Sequence, residues 1–344
     1  MLPYLLSSFF LFIIGLFNLL GIHPALFRSQ LIFGIVGVVC FLLVKKIGTH
    51  FFRINSKAFY WSFIILLVIT FLLGFEVKGS KRWIDFHFFS FQASEFFKVF
   101  FILFLADYFN KNRRNFKEVS FFIRSLIYFA IPTFIVFKQP DLGNAIVYSV
   151  IFFTMALFSG IPRATIAKAI APLFFLIPLG WIFLKDYQKL RILSFLSPHL
   201  DKAGNSYNMI QAIVTVGSGK FTGRGLGRGT QSGLFFLPEN HTDFAFSSLT
   251  EQFGFIGGEI VIILYLLFAL ILIKKIITYS YQKDDASRFQ FLFCVGFLAY
   301  FLIQVFINIG MNMGILPITG ITLPLISYGG SSLLTWMIGL ALLP

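Results

Sequence analysis

Residues 260–273 read IVIILYLLFALILI, fourteen consecutive uncharged and mostly aliphatic residues that stop at Lys274 and Lys275. A helix that crosses the hydrocarbon core of a bilayer needs about 20 apolar residues. The run is the centre of a longer apolar stretch at residues 243–273. That stretch exceeds a simple crossing, which predicts a tilted helix or one that begins outside the hydrocarbon.

The composition of the whole chain indicates many segments of this kind. Its 344 residues are 58% hydrophobic and 19% aromatic, with 50 Phe, and only 12% are charged. A soluble domain carries about 25% charged residues, so this chain cannot cover the surface of a soluble globule. The aromatic content excludes a disordered chain, and two cysteines exclude a disulfide scaffold. A polytopic, all-α membrane protein remains.

Apolar runs bounded by charged or Pro/Gly clusters predict ten transmembrane helices in one integral membrane domain, residues 1–344. The predicted spans are 3–21, 29–44, 58–75, 93–109, 120–137, 142–160, 164–184, 243–273, 288–311 and 323–343. Between the seventh and eighth spans, residues 185–242 form a large loop.

Basic residues in the loops predict the orientation of these spans. The net charge of +14 would suggest nucleic acid in a soluble protein, but in a membrane protein it is typical of cytoplasmic loops. The even-numbered short loops carry fifteen Lys and Arg, and the odd-numbered ones carry five. Both termini are therefore predicted to be cytoplasmic, and the large loop to face the outside.

The large outer loop contains a series of glycines from Gly217 to Gly229. Gly219-Lys220 is followed by Phe221 and not by Ser or Thr, so the phosphate-binding P-loop pattern fails. The spacing also differs from the dinucleotide fingerprint, and no βαβ unit surrounds it. These failures favour a flexible or re-entrant loop.

Glu95 and Lys98 lie inside an apolar helix, where an unpaired charge costs about 2.5–3.5 kcal/mol on insertion scales. Their i, i+3 spacing puts them on one face, so each can neutralise the other. The pair is interpreted either as a packing element or as part of a charged cavity lining.

Further polar residues fall at the predicted outer surface. Arg82 and Trp83 lie in the third loop, where Trp is typical of a membrane-interface anchor. Lys138 and Asp141 flank a turn between two spans, which explains them structurally. Asp141 nevertheless adds a carboxylate near the outer side.

His241, Thr242 and Asp243 lie where the outer loop re-enters the membrane. One interpretation makes Asp243 an N-cap that accepts hydrogen bonds from the next helical turn. The other makes it a partly desolvated carboxylate at the mouth of a cavity, suited to proton abstraction. Glu251 follows eight residues later, near the same helical face.

The histidines are scattered, and neither a zinc-protease HExxH motif nor a hydrolase GxSxG elbow occurs. The chain therefore offers an outward-facing cavity lined by Arg, Lys and carboxylates. That chemistry fits an anionic, lipid-borne substrate presented from the outer leaflet.

Seven stretches, taken in order, resemble the SEDS family (shape, elongation, division and sporulation), whose main branches are RodA and FtsW. They are 81–83 (KRW), 91–98 (FQASEFFK), 139–143 (QPDLG), 223–232 (GRGLGRGTQS), 237–244 (LPENHTDF), 314–317 (GILP) and 323–331 (LPLISYGGS). Any one of them is weak evidence, but the ordered set is specific.

The resemblance implies ten transmembrane helices and a peptidoglycan glycosyltransferase that polymerises lipid II at the outer face of the bacterial cytoplasmic membrane. It implies that Asp243 is the essential loop aspartate, which would act as general base. It also implies that Glu95 and Lys98 form the family's intramembrane salt bridge, and that the glycine-rich loop shapes the substrate cavity.

The leaving group in that reaction is undecaprenyl pyrophosphate, which needs cationic partners. Candidate cations are Arg82, Lys138, Arg191, Arg224 and Arg228, and pyrophosphate makes a divalent cation, Mg²⁺ or Mn²⁺, a candidate cofactor. The residues predicted to bind substrate are Arg82, Trp83, Lys138, Asp141, Arg191, Arg224, Gln231, Glu239, His241 and Thr242.

The implied partner is a class B penicillin-binding protein, a transpeptidase that would cross-link the new strand. Two alternatives stay open: a flippase for lipid-linked precursors, and a non-catalytic scaffold of an elongation or division complex. The residues 229–232 (GTQS) favour the RodA branch and 320–324 (GITLP) the FtsW branch, and we favour RodA.

Two departures from the family pattern stand out. Ala93 replaces the usual Pro before Ser94-Glu95. Gln252 replaces a second glutamate after Glu251, which puts any role of that second carboxylate in doubt.

Overall fold

A computed structural model of the chain describes residues 2–77, 80–85, 90–113, 119–168, 205–282 and 284–344, with five isolated positions between 171 and 195. The described helices are α1 (Leu2–Ile22), α2 (Pro24–Ile47), α3 (Thr49–Ile54), α4 (Ser56–Leu73), α5 (Ala93–Lys111), α6 (Val119–Lys138), α7 (Leu142–Ser159), α8 (Asn205–Ser218), α9 (Thr230–Gly233), α10 (Ala245–Ser280), α11 (Asp285–Asn312) and α12 (Gly330–Leu342). The strands are β1 (Phe75–Val77), β2 (Ser80–Asp85) and β3 (Ser90–Phe91).

Seven of the described helices are long and apolar enough to cross a membrane: α1, α2, α4, α6, α7, α10 and α11. Two further predicted spans coincide with α5 and with the shorter α12. The predicted span at 164–184 lies mostly outside the described residues. The prediction of an all-α polytopic membrane protein is confirmed.

The tenth predicted span begins too early. Its first part, residues 323–329, is not helical, and Leu325 has a positive φ of 66°. Pro324 has no N–H to donate to a preceding helical turn. The N–H of its neighbour Leu323 donates to a side chain, Ser327 Oγ, at 2.8 Å. The helix therefore starts only at Gly330.

The third loop contains a short antiparallel sheet that the hydropathy pattern did not predict. Its strands run in the order β1-β2-β3, with Phe75 opposite Trp83 and Ile84 opposite Phe91. This sheet fixes the main chain around Arg82 and Trp83.

The chain divides into two compact units. The first unit comprises residues 1–32, 173–268 and 304–329, and the second comprises residues 33–172, 269–303 and 330–344.

Helix α5 is the core of the second unit, with 17 of its 19 residues buried. A helix that is apolar on all sides is suited to such a position. Aromatic rings pack around it: those of Tyr60 and Phe104 lie 4.3 Å apart, and those of Phe63 and Phe100 lie 4.6 Å apart. Phe and Tyr side chains thus supply much of the packing around α5.

The overlong apolar stretch at residues 243–273 lies in helix α10, which is interrupted. Its 36 residues would span about 54 Å if continuous, but Gly254 adopts φ 70° and ψ −168° and interrupts the helix. The main chain of residues 220–225 fills the break with four hydrogen bonds. They join Arg224 N to Glu251 O, Gly225 N to Gln252 O, Phe255 N to Lys220 O and Ile256 N to Phe221 O, at 2.9–3.2 Å.

This packing explains why the outer loop is rich in glycine. A Cβ atom on Gly223 would lie 2.2 Å from Gln252 O, and Gly223 also has a positive φ of 84°. A Cβ atom on Gly254 would lie 2.3 Å from the Gly223 nitrogen. The glycines therefore permit backbone-to-backbone contact between the loop and the broken helix.

We expect Gly254→Ala to lower the free energy of unfolding by about 1–3 kcal/mol. Alanine would have to adopt a positive φ, and its Cβ would lie against backbone atoms. Thermal unfolding of the purified protein in detergent measures the change. Gly217→Ala is the matched control: no atom lies within 4 Å of the added Cβ, and the residue is helical. Equal destabilisation by both variants would contradict the role given to this break.

Candidate functional site

Asp243 lies in a tight turn, residues 239–244, that leads into α10. The N–H groups of Thr242 and Phe244 donate to Glu239 O at 3.2 and 3.1 Å, and Thr242 Oγ1 donates to Glu239 Oε2 at 2.9 Å. Glu239 closes the turn with a positive φ of 55°. The Asp243 residue is half-buried, so a defined main chain presents a partly accessible carboxyl group.

Two asparagines of α11, one helical turn apart, hold the main chain of Asp243. The Nδ2 groups of Asn308 and Asn312 each donate to Asp243 O at 3.0 Å. Asn308 Nδ2 also donates to Ile321 O at 2.7 Å. Both asparagines are fully buried. Two neutral amides therefore position the Asp243 carbonyl.

Asn312 also accepts hydrogen bonds from the first turn of α10. The N–H and the Oγ of Ser247 both donate to Asn312 Oδ1, at 3.0 and 2.6 Å. Ser247 is the third residue of α10, whose N–H an N-cap side chain would normally bind. The Asn312 amide thus accepts an N–H of the first turn of α10 from a distant part of the chain, and Asp243 lies two residues before the helix.

The segment that precedes α12 holds the same turn from a second direction. Ser327 Oγ donates to Thr242 O at 2.6 Å, and Tyr328 N donates to His241 O at 2.8 Å. A Cβ atom on Gly320 would lie 3.6 Å from Asp243 Oδ2. The segment from Gly320 to Tyr328 therefore lies on one side of Asp243, with Gly320 next to its carboxylate.

Glu251 has a carboxylate that is fully buried and organises the end of the outer loop. Its oxygens accept hydrogen bonds from the Gln231 N–H at 2.8 Å, the Ser232 N–H at 2.9 Å, Ser218 Oγ at 3.3 Å and Ser232 Oγ. These bonds tie the end of α8 to the short helix α9. Glu251 is thus engaged in holding the loop, whereas Asp243 is anchored through its main chain.

Gln252 shows why a charge is dispensable next to Glu251 in this chain. Its Oε1 accepts from the Gly227 N–H at 3.0 Å, while its Nε2 donates to Asn18 O at 3.0 Å and to Asn18 Oδ1 at 2.7 Å. A carboxylate could accept but could not donate. The amide therefore links α1, the glycine-rich loop and α10.

The remaining candidates in the first unit lie around this loop and turn. Arg224 and Arg228 are exposed, and Arg224 Nε donates to Ser218 O at 2.9 Å. The His241 ring lies 5.3 Å from that of His23. Arg191 lies outside the described residues.

Asp141 in the second unit is buried and engaged in several polar contacts. It caps α7, where Asn144 N–H donates to its Oδ1 at 3.2 Å, and Asn144 Nδ2 donates to its Oδ2 at 2.9 Å. Gln92 Nε2 donates to the same Oδ2 at 3.2 Å, and Arg82 Nη1 lies 3.5 Å from Oδ1. These contacts support the structural explanation of the turn and bring Arg82 to the same place.

Trp83 is half-buried on β2, next to Arg82 in the chain. Lys138 is exposed at the end of α6, with its Nζ 5.5 Å from the centre of the Phe134 ring.

Glu95 and Lys98 form an ion pair in α5, with Lys98 Nζ 2.6 Å from Glu95 Oε1. Lys98 is fully buried, and its Nζ also lies 5.1 Å from the centre of the Tyr300 ring. The ammonium group is therefore stabilised by a carboxylate and by an aromatic face.

The predicted site residues thus fall into two groups. The first unit holds Asp243 with Arg224, Gln231, Glu239, His241 and Thr242, and the second holds Arg82, Trp83, Lys138, Asp141, Glu95 and Lys98.

Sequence reasoning missed the groups that position the Asp243 turn, namely Asn308, Asn312 and Ser327. Asn308 and Asn312 carried a usable signal, since two amides four residues apart in an apolar helix share one face and require partners. The partners themselves lie 65 and 69 residues away in the chain.

The chain resembles known proteins over most of its length. Residues 8–344 match the model of a protein family named FtsW, RodA and SpoVE and described as cell cycle protein. The chain is 33% identical to the peptidoglycan glycosyltransferase RodA of Treponema pallidum, over 92% of this chain and 88% of that protein. It is also 33% identical to the probable peptidoglycan glycosyltransferase FtsW of Hydrogenovibrio crunogenus, over 89% and 78% of the two chains.

One solved structure has a TM-score of 0.83 at 26% sequence identity, covering 98% of this chain and 95% of that one. It comes from a study of how a peptidoglycan synthase complex coordinates polymerization and crosslinking.

We expect Asn312→Leu to lower the free energy of unfolding by about 1–3 kcal/mol, because it leaves the buried Ser247 N–H without its acceptor. Amide hydrogen exchange of residues 241–248 should become faster in the same variant. The control is Asn112→Leu, whose amide donates to Tyr108 O in the second unit and which should leave exchange at 241–248 unchanged. Unaltered exchange in Asn312→Leu would contradict the anchoring role.

We expect Glu95→Gln to lower the free energy of unfolding by about 3–5 kcal/mol, because it leaves the Lys98 ammonium buried without its counter-charge. Combining Glu95→Gln with Lys98→Met removes that charge and should recover part of the loss. Chemical unfolding in detergent measures both variants. If the double variant is as unstable as the single one, the buried charge is not the cause.

Proposed function

Because the chain belongs to the FtsW, RodA and SpoVE family of cell cycle proteins, we propose that it is a peptidoglycan glycosyltransferase of the membrane. Its substrate would be lipid II, the disaccharide-peptide carried on undecaprenyl pyrophosphate, and its product a glycan strand. One relative named RodA and one named FtsW are each 33% identical to the chain, so assignment to the RodA branch stays a prediction.

The observation that supports this proposal most is the anchoring of Asp243. Its carbonyl accepts two amide donors, and the flanking carbonyls of Thr242 and His241 are held by Ser327 and Tyr328. Catalysis by a positioned base requires a carboxyl group that does not drift, since misplacement by about 1 Å can cost 100-fold in rate. The half-buried Asp243 meets that requirement.

We propose Asp243 as the general base. Its carboxylate would take the proton from the 4-hydroxyl of the acceptor sugar while that oxygen attacks the anomeric carbon of the donor. The bond from the anomeric carbon to the pyrophosphate then breaks, and undecaprenyl pyrophosphate leaves with the electron pair. Direct displacement inverts the configuration at the anomeric carbon.

The developing negative charge on the leaving group needs cations. Arg224 and Arg228 are exposed on the outer loop of the same unit as Asp243 and are our first candidates. No cluster of three His, Cys, Asp or Glu residues able to hold a metal ion occurs within the described part of the chain. Because pyrophosphate binds divalent cations readily, we propose that Mg²⁺ or Mn²⁺ would enter bound to the substrate.

Glu251 and Gln252 shape the substrate cavity in this proposal. They hold the loop that carries Arg224 and Arg228 against the broken helix α10. The loop would thereby keep its cations at a constant distance from α10, while Asp243 precedes the same helix.

The partner we propose is a class B penicillin-binding protein that cross-links the strand, because the matched synthase complex couples polymerization and crosslinking. The chain is a multi-pass membrane protein. We place it in the bacterial cytoplasmic membrane with both termini inside and Asp243 outside, on the evidence of the basic loops.

We expect Asp243→Asn to lower the rate of glycan synthesis from labelled lipid II by about 10²–10⁴-fold, the usual contribution of a general base. Glu259→Gln is the matched control, since it neutralises an exposed carboxylate in α10 and should keep the native rate. Equal thermal stability of the two variants shows that folding is not the difference.

Normal strand synthesis by Asp243→Asn would overturn the assignment of the base. Liposomes containing the native protein test the flippase alternative: movement of lipid II across the bilayer without any glycan product would reject glycosyl transfer.

A further inference from the structure

A polar cavity lies in the second unit, where three membrane helices end. It is bounded by the end of α7, the end of α10 and the beginning of α11. The lining side chains include two arginines, one amide and three aromatic groups: Arg113, Arg288, Gln282, Phe158, Tyr279 and Phe291. None of the residues predicted to bind lipid II belongs to it.

Arg288 is anchored within the cavity wall but retains unused donors. One terminal nitrogen, Nη2, donates to Ser159 O at the end of α7 at 2.7 Å. Its Nε is buried and has no hydrogen-bond partner among the described residues. A buried donor without an acceptor is costly, so an acceptor from a ligand would stabilise this guanidinium.

The carboxylates that the structure describes near the cavity already have partners. Asp285 forms an ion pair with Arg53 and accepts from Asn110 Nδ2 at 2.9 Å. Asp284 accepts from the Ser287 N–H at 2.9 Å, a hydrogen bond that lowers the pKa of its carboxyl group.

Asp107 is likewise engaged with Arg53 and Lys111. The salt bridges between described residues include neither Arg113 nor Arg288. Asp285 acts on both arginines electrostatically, but no described carboxylate lies within salt-bridge distance of either one.

We propose that this cavity binds a phosphate group through Arg113 and Arg288. The guanidinium fork of arginine matches the oxygens of a phosphate. A phospholipid headgroup fits the position. The last turns of α7 and α10 and the first turn of α11 lie here, and lipid phosphates lie at the level where membrane helices terminate. Phe158, 56% exposed beside the arginines, offers an apolar surface for the adjoining acyl chains. A soluble phosphate compound carries the same chemistry.

Titration of the purified protein in detergent distinguishes these sources. Native mass spectrometry measures binding of short-chain phosphatidylglycerol and of short-chain phosphatidylcholine, and calorimetry measures binding of inorganic phosphate. We expect preferential binding of phosphatidylglycerol that weakens about fivefold in Arg113→Gln and again in Arg288→Gln. Lys168→Gln removes the same charge from an exposed residue outside the cavity and should leave affinity unchanged.

Arg113 is exposed, so Arg113→Gln keeps the test valid even if Arg288→Gln disturbs the contact with Ser159. Binding of inorganic phosphate, with the same dependence on the arginines but no preference for phosphatidylglycerol, would assign the site to a soluble phosphate compound. The proposal fails if neither probe depends on Arg113, or if Lys168→Gln weakens binding as much.

Discussion

Four main-chain hydrogen bonds between residues 220–225 and residues 251–256 are the constraint on which the first unit depends. A helix that breaks at Gly254 leaves N–H and C=O groups without their usual partners, and within a membrane no water replaces them. The outer loop supplies those partners with its own main chain. The helix break and the glycine-rich loop are therefore one structural element, and neither could exist in this form without the other.

The side chains around this element have separate tasks. Glu251 and Gln252 use their polar atoms on the loop and on α1, and Asn308 and Asn312 use theirs on the turn before α10. Asp243 differs because its main-chain carbonyl carries the attachment. In the proposed reaction the Asp243 carboxylate accepts a proton, and the bonds from Asn308 and Asn312 to the Asp243 carbonyl do not depend on the charge of that carboxylate.

Much of the fold was accessible from sequence because hydropathy and charge act locally along the chain. Nine of the ten predicted spans coincide with described helices, and the excess length at 243–273 was itself evidence of an irregularity. The break at Gly254 was not predicted, since its partners lie in a loop about 30 residues earlier and no local pattern identifies them. The same reason applies to Asn312 and Ser247. The short sheet at 75–91 was missed because strands of two to six residues leave almost no periodic signal.

The contacts of Glu251 have a consequence for the loop between them. One buried carboxylate binds Ser218 near the start of the glycine series and both Gln231 and Ser232 after its end. The two ends of this segment are therefore fastened at a single point, as in a closed ring. Peptide-bond cleavage at the exposed Arg228 would leave both new ends close to the same carboxylate, so a cut in the loop should not release α9 from α10.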